Sequence, residues 1–315
     1  MLKNIDCLKY EIDARFYKKH PLNWNDIFNR MAPLAVEIGY GNGEYLVNWA
    51  RLEPDLNFVG IELSLASAMR IQLRAAKQAI NNIRIIRDDV RFTLREMFPD
   101  NSIRMVVMNF PDPWSKDKHR DRRVVSPNFV KTLSAVLEIG GRYELMTDQK
   151  WYAEDCYHMF SDTGAFYLNN IVQMKRGEVK TKYGRKYIQE NRIIYCLKVE
   201  KQKSEKINRI LEDYQMPHVI IGNQFNIDII EKLTGIEYRS GEKIFKVKEV
   251  FIHPGGQTFL LRTITKDNDY KQMFFILIAR HVQGSIVKID PGFQPYRTPA
   301  VMMAVHKLGE ILQNQ

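Results

Sequence analysis

The chain has 315 residues, more than one hydrophobic core commonly serves, so two domains are the expectation. Hydrophobic residues make up 45% and charged residues 27%, which excludes a collagen-like or wholly disordered chain. The formal net charge of +10 favours polyanionic partners, nucleic acid or an anionic membrane surface, without choosing between them.

The longest strongly apolar run, Met273 to Ala279, is far short of the roughly 20 residues that a helix needs to cross a bilayer. From Met1 to Arg15 charged residues interrupt the apolar ones, so there is no secretory h-region and a cytoplasmic location is expected. Cys7, Cys156 and Cys196 are odd in number and far apart, so neither a disulfide framework nor a metal site is expected. The oligomeric state stays open.

From about residue 34 to 200, short apolar strands alternate with helical segments, the pattern of a parallel sheet covered by helices. Leu34 to Ile38 reads as a buried strand, Gly39 to Gly43 as a tight loop, and Glu44 to Arg51 as a helix that Pro54 closes. Asn57 to Glu62, Ile83 to Ile86 and Ile103 to Met108 are the next strands, with a helix over Ser64 to Ile80. Ser126-Pro127 supplies a hydroxyl N-cap and a first-turn proline for a helix to about Glu138, which Gly140-Gly141 ends. A strand over Arg142 to Met146, a helix over Lys150 to Phe160, and strands over Phe166 to Gln173 and Arg192 to Val199 complete an α/β domain, residues 1–203.

Lys198 to Lys206 reads as a charged linker. Beyond it, residues 204–315 form a smaller β-rich α+β domain, with strands over Lys243 to Ile252, Thr258 to Thr265, Met273 to His281 and Ile286 to Ile289. A helix follows, about Ala300 to Leu312. The function of this extension is not legible in its residues.

Gly39, Gly41 and Gly43 lie between a first strand and its helix, where missing Cβ atoms let a ligand approach the backbone. The dinucleotide fingerprint would need a third glycine where Glu44 stands, and a carboxylate there repels a pyrophosphate. Glu37 adds negative charge, which suits a cationic ligand such as S-adenosylmethionine. Glu62 ends the second strand at the ribose-binding position. Asp88, with Asp89 as an alternative, could face an adenine amino group. Three acids at successive strand ends argue against chance placement.

The fourth strand runs into Asn109-Phe110-Pro111-Asp112-Pro113-Trp114, whose two prolines fix the backbone around one carboxylate. Lys116, Lys118, His119, Arg120, Arg122 and Arg123 then form a basic run suited to phosphate contacts. A second basic cluster comprises Lys175, Arg176, Lys180, Lys182, Arg185, Lys186 and Arg192. It brackets Thr181-Lys182-Tyr183 and extends the expected RNA surface.

These motifs resemble those of the bacterial tRNA (guanine-N7-)-methyltransferases. The resemblance is carried by Val36 to Glu44, Val59 to Glu62, Asn109 to Arg123, Gly140 to Asp148 and Thr181 to Tyr183, and covers about residues 30 to 200. It implies a Rossmann-like class I fold dependent on S-adenosylmethionine and a tRNA substrate methylated at guanine N7, variable-loop position 46. It places Glu37, Asn109, Glu62, Asp88 and Asp112 on the cofactor, with Asp112 also catalytic. Lys116, Asp148, Thr181, Lys182 and Tyr183 would meet the substrate, with Arg122 and Arg123 on phosphates. Where the family carries a carboxylate after the T-K-Y segment, this chain has Gly184. The rival readings are a non-catalytic RNA- or partner-binding protein retaining the fold, and a nicotinamide-dependent dehydrogenase.

Overall fold

A computed structural model describes residues 8–174, 181–211, 215–222, 225–281 and 284–314. The chain divides into two compact units. The first takes Met1–Ala14 and Pro21–Asn208, the second Arg15–His20 and Arg209–Gln315.

In chain order the first unit runs α1 (Trp24–Phe28), β1 (Leu34–Ile38), α2 (Glu44–Leu52), β2 (Asn57–Ile61), α3 (Leu65–Lys77), β3 (Ile83–Ile86), α4 (Val90–Met97) and β4 (Ile103–Asn109). After a 3₁₀ segment, Asp117–Arg122, come α5 (Pro127–Val136), β5 (Leu137–Thr147), α6 (Lys150–Thr163), β6 (Phe166–Leu168), β7 (Val172–Gln173), α7 (Lys182–Gln189) and β8 (Tyr195–Lys201). The sheet order is β3-β2-β1-β4-β5-β8-β6, with β7 also on β8. The β1 to β5 ladders are parallel and β8 is antiparallel to β5.

All five residues of β1, and all five of β2, are buried, as strands covered on both faces require. The strand order reverses between β1 and β4, so their carboxyl ends lie side by side, with Glu37 opposite Val107 and Ile38 opposite Met108. That switch point is where an open α/β sheet presents a ligand crevice. Ser64 and Ser126 cap α3 and α5 by accepting from the amides of Ser67 and Phe129.

Of the stretches that differ from the sequence expectation, three bear on the first unit's core and site. First, α5 ends at Val136 and β5 begins at Leu137; Gly140, at φ 78°, sits where the register against β4 shifts, so the glycine pair belongs to a strand irregularity rather than a helix end. Second, α4 fills the stretch after Asp89, whose carboxylate caps it. Third, the expected linker is structured at its start. Lys198 to Lys201 belong to β8, and Lys201 is fully buried. Its ammonium donates to Asn101 Oδ1 (2.7 Å) and to the carbonyls of Ala135 (3.3 Å) and Leu137, both buried where α5 gives way to β5.

The second unit consists of β9 (His218–Ile221), α8 (Asp228–Lys232), β10 (Glu237–Ser240), β11 (Lys243–Ile252), β12 (Thr258–Asp267), β13 (Tyr270–His281), β14 (Gly284–Ile289) and α9 (Pro299–Gln313). Its antiparallel sheet, ordered β10-β11-β12-β13-β14-β9, alternates buried and half-exposed residues along β12. Val301, Ala304, Val305, Leu308 and Leu312 of α9 form the core with Phe245, Phe259, Leu261, Phe274 and Ile276 from one face. A Cβ on Gly309 would lie 2.6 Å from Val219, so this glycine lets α9 approach β9.

Lys201→Met keeps the apolar stem but removes the donor that the ammonium gives to Asn101 Oδ1 and to the buried Leu137 carbonyl. It should lower the unfolding free energy by about 2–4 kcal/mol, read by chemical denaturation.

Candidate active site

The glycine loop leaves β1 with Gly39, Gly41 and Gly43 all in the left-handed region. Several of its amides donate within the protein. Gly39 donates to the Ile61 carbonyl (2.8 Å), Gly41 to Glu62 Oε2 (3.2 Å), and Glu44 to Asn42 Oδ1 (3.1 Å). Glu62 is held further by the amides of Leu63 (2.9 Å) and Ser64 (3.1 Å) on its Oε1. Gly43 serves packing instead of a ligand: a Cβ there would lie 2.4 Å from the Ile71 side chain, so the glycine brings α2 against α3.

Glu37 is 2% exposed at the end of β1. Asn109 Nδ2 donates to its Oε1 (3.2 Å), while Oε2 is buried without a hydrogen-bond partner. Burial, reinforced by the nearby Glu62 charge and opposed by the Asn109 bond, pushes the Glu37 carboxyl up to about 8. Asp88 and Asp89 divide their work. Asp89 caps α4 and accepts the guanidinium of Arg91 (2.7 Å), while Asp88 accepts the Asp89 amide.

The Asn109–Trp114 segment carries two non-glycine residues at positive φ, Phe110 (53°) and Trp114 (45°), flanking the proline-aspartate-proline core. Its clamp is Arg123. Both Nε and a terminal nitrogen donate to the Trp114 carbonyl (3.3 and 3.2 Å), and another nitrogen pairs with Asp155 (3.2 Å) beneath the Trp151 ring. With its side chain 8% exposed, Arg123 turns inward rather than toward phosphates, a correction to the sequence reading. Arg122 is exposed and lies over the Trp114 ring (4.9 Å).

Thr181 is buried and caps α7 by accepting the Gly184 amide (3.0 Å), so the glycine that departs from the family pattern lies in a capped first turn. From α7, Tyr187 meets Phe110 edge-on (5.3 Å). Asp148 pairs with Arg192 (2.7 Å), whose guanidinium covers Tyr187 (4.7 Å), so Asp148 acts at one remove. Lys116 is exposed at the start of the 3₁₀ segment and lies apart from the cavity lining. The side chains of Lys182 and Tyr183, and Lys175, Arg176, Lys180 and Cys7, lie outside the described residues. Of the second basic cluster, Arg185, Lys186 and Arg192 are ion-paired with Glu44, Glu190 and Asp148.

A cavity of about 730 Å³ gathers Glu37, Gly39, Gly41, Glu62, Asp88, Asn109, Asp112 and Thr181. Tyr40, Tyr45, Val90 and Asp121, which the sequence reading did not single out, also line it. Six carboxylates face it, from Glu37, Glu62, Asp88, Asp89, Asp112 and Asp121, against Arg91 and Arg122. The volume suits a nucleoside-sized ligand. The unmatched Glu37 oxygen and the acidic excess fit a cation, so the residues present fit S-adenosylmethionine. Among the described residues no cluster has a metal-ligand arrangement, and no helix is long and apolar enough to cross a membrane.

A family model described as a putative methyltransferase matches residues 31–197. The tRNA (guanine-N(7)-)-methyltransferase of Thermotoga maritima is 34% identical over 309 residues, covering 98% of each chain. That of Thermus thermophilus is 26% identical over 303 residues, 96% of each. Both alignments include the second unit. A solved 16S rRNA methyltransferase, KamB, is 15% identical with a TM-score of 0.45, over 57% of this chain and 92% of that one.

Arg123→Met removes the grip on the Trp114 carbonyl. Hydrogen exchange at the Phe110 amide, which donates to the Met146 carbonyl (2.8 Å), should then quicken at least tenfold, and Arg123→Lys should restore little of the protection, because an ammonium lacks the guanidinium fork. Unchanged exchange would mean that the segment holds its own shape.

Proposed function

The chain belongs to the tRNA (guanine-N(7)-)-methyltransferase family, and from that premise we infer that it methylates N7 of a guanine in tRNA, at variable-loop position 46, using S-adenosylmethionine. The observation that carries this reading is the convergence of Glu37, Glu62, Asp88 and Asp112 on one cavity at the carboxyl ends of the parallel strands.

The bound donor supplies an electrophilic methyl group on a sulfonium. Guanine N7 has an unprotonated lone pair at neutral pH, so no residue must act as a base, and what remains for the protein is alignment and charge. Glu37 offers its unmatched oxygen to a cation. Glu62, fixed by three backbone amides, suits a pair of ribose hydroxyls. Asp88 suits an adenine amino group. Asp112, exposed at the cavity between its two prolines, lies where a carboxylate stabilises the positive charge that the purine acquires on methylation. Phe110, Trp114 and Tyr187 present rings on which an unstacked base can lie. Lys116 and Arg122, both exposed, offer charge to the RNA backbone. A tRNA substrate accords with a cytoplasmic location.

Incubation with labelled cofactor and unmodified tRNA, followed by nucleoside analysis, should yield 7-methylguanosine; label in any other nucleoside, or none, overturns the reading. Asp112→Ala should cut methyl transfer at least ~100-fold while the melting temperature stays put.

Glu37 adds a pH signature. Its carboxyl sits near 8 in the folded protein against 4.5 normally, so it is mostly protonated at pH 7 and must ionise to receive a cation. Binding the cofactor at pH 7 should therefore release a proton from this group in most molecules, measured by calorimetry in buffers of different ionisation enthalpy, and Glu37→Gln should abolish that release. For the unliganded protein, the stability tied to this group is full below pH 4.5 and declines as pH rises through 8.

A further inference from the structure

Apart from the active-site cavity, a cleft of about 690 Å³ runs between α2 and α3. Glu44, Asn48 and Arg51, at positions i, i+4 and i+7, form one stripe of α2; Arg74 and Gln78 face them from α3, and Arg185 of α7 joins the lining. Three guanidinium groups thus share the cleft with one carboxylate, and Arg185 already pairs with that carboxylate at 2.5 Å. Arg51 gives one N–H to Asn48 (2.9 Å). The Nε of Arg74 is buried without a hydrogen-bond partner.

The sequence of α3 points the same way. Leu65–Lys77 contains no acid, and Arg70, Arg74 and Lys77 recur at i, i+4 and i+7. Such spacing sets like charges side by side and destabilises a helix by itself. Neither the cavity nor the roles assigned above use Arg51 or Arg74. Their arrangement is explained by an anion with several acceptor oxygens, which guanidinium forks bind at two points each.

We propose that this cleft is a second phosphate subsite for the tRNA backbone, separate from the basic run after Trp114. The proposal rests on the reading that tRNA is the substrate. At a rise of 1.5 Å per residue, Arg51 stands about 10 Å along α2 from Glu44, which directly follows the glycine loop. A phosphodiester in the cleft is therefore near enough to belong to the same RNA strand as a base in the cavity.

The test is an Arg51→Gln/Arg74→Gln variant of the full chain, titrated with unmodified tRNA over a range of KCl concentrations and, separately, with S-adenosylhomocysteine. Affinity for tRNA should fall about tenfold or more near 0.15 M salt, and the log–log salt slope should flatten by about 1–2. Affinity for S-adenosylhomocysteine and the turnover number at saturating tRNA should stay within twofold, and the melting temperature should hold or rise. Equal tRNA affinity and salt slope in variant and wild type overturn the proposal. So does a site for a small anion, recognised if millimolar inorganic phosphate protects the wild type but not the variant from heat while tRNA affinity is unchanged. Failure of the underlying reading shows in the wild type itself, which would bind no tRNA, and the proposal then falls with it; failure of the cleft alone shows as a wild type that methylates and a variant that matches it.

Discussion

The site is organised around a carboxylate that the protein buries and only half satisfies. Glu37 lies at the end of the central strand, with one oxygen held by Asn109 and the other unmatched. Burying such a group is unfavourable, and the carboxyl answers by holding its proton to about pH 8. A positively charged ligand removes the difficulty by supplying the missing partner. The neighbouring acids follow the same logic at lower cost, since Glu62 and Asp89 are already tied down by backbone amides or by Arg91. Selectivity for a cationic nucleoside over a pyrophosphate follows from the excess of carboxylates that line the cavity.

The chain combines this acidic interior with a basic composition, and the structure separates the two. Carboxylates dominate the cavity, with Arg122 at its exposed side, while Lys116 and the α3 arginines lie outside it. A polyanion can be attracted to the exterior without having its own charge opposed to the acids at every point, because only one base has to enter.

Much of this was legible in the residues. The alternation of strands and helices, the Ser126-Pro127 start and the three acids at strand ends follow from local patterns that the sheet reinforces. What escaped reading depended on partners distant in sequence. Lys201 looked like part of a solvated linker because lysine rarely sits in a core; in the fold its ammonium meets Asn101 Oδ1 and the buried carbonyls at the junction of α5 and β5. Arg123 stood in a basic run beside Arg122, and nothing local shows that one turns toward Asp155 while the other stays outside. Asp88 and Asp89 were indistinguishable until α4, capped by the second, was in view. Gly184 departs from the family pattern, yet the Thr181 hydroxyl still starts the helix there.

The pairing of Arg185 with Glu44 joins residues 141 positions apart, and Tyr187 on the same helix closes against Phe110. On the ribosome, then, a growing polypeptide that has completed its first five strands owns the acids yet lacks their roof, and must wait for α7 to emerge. Competence is acquired late, when Thr181 and Tyr187 take their places in the cavity wall.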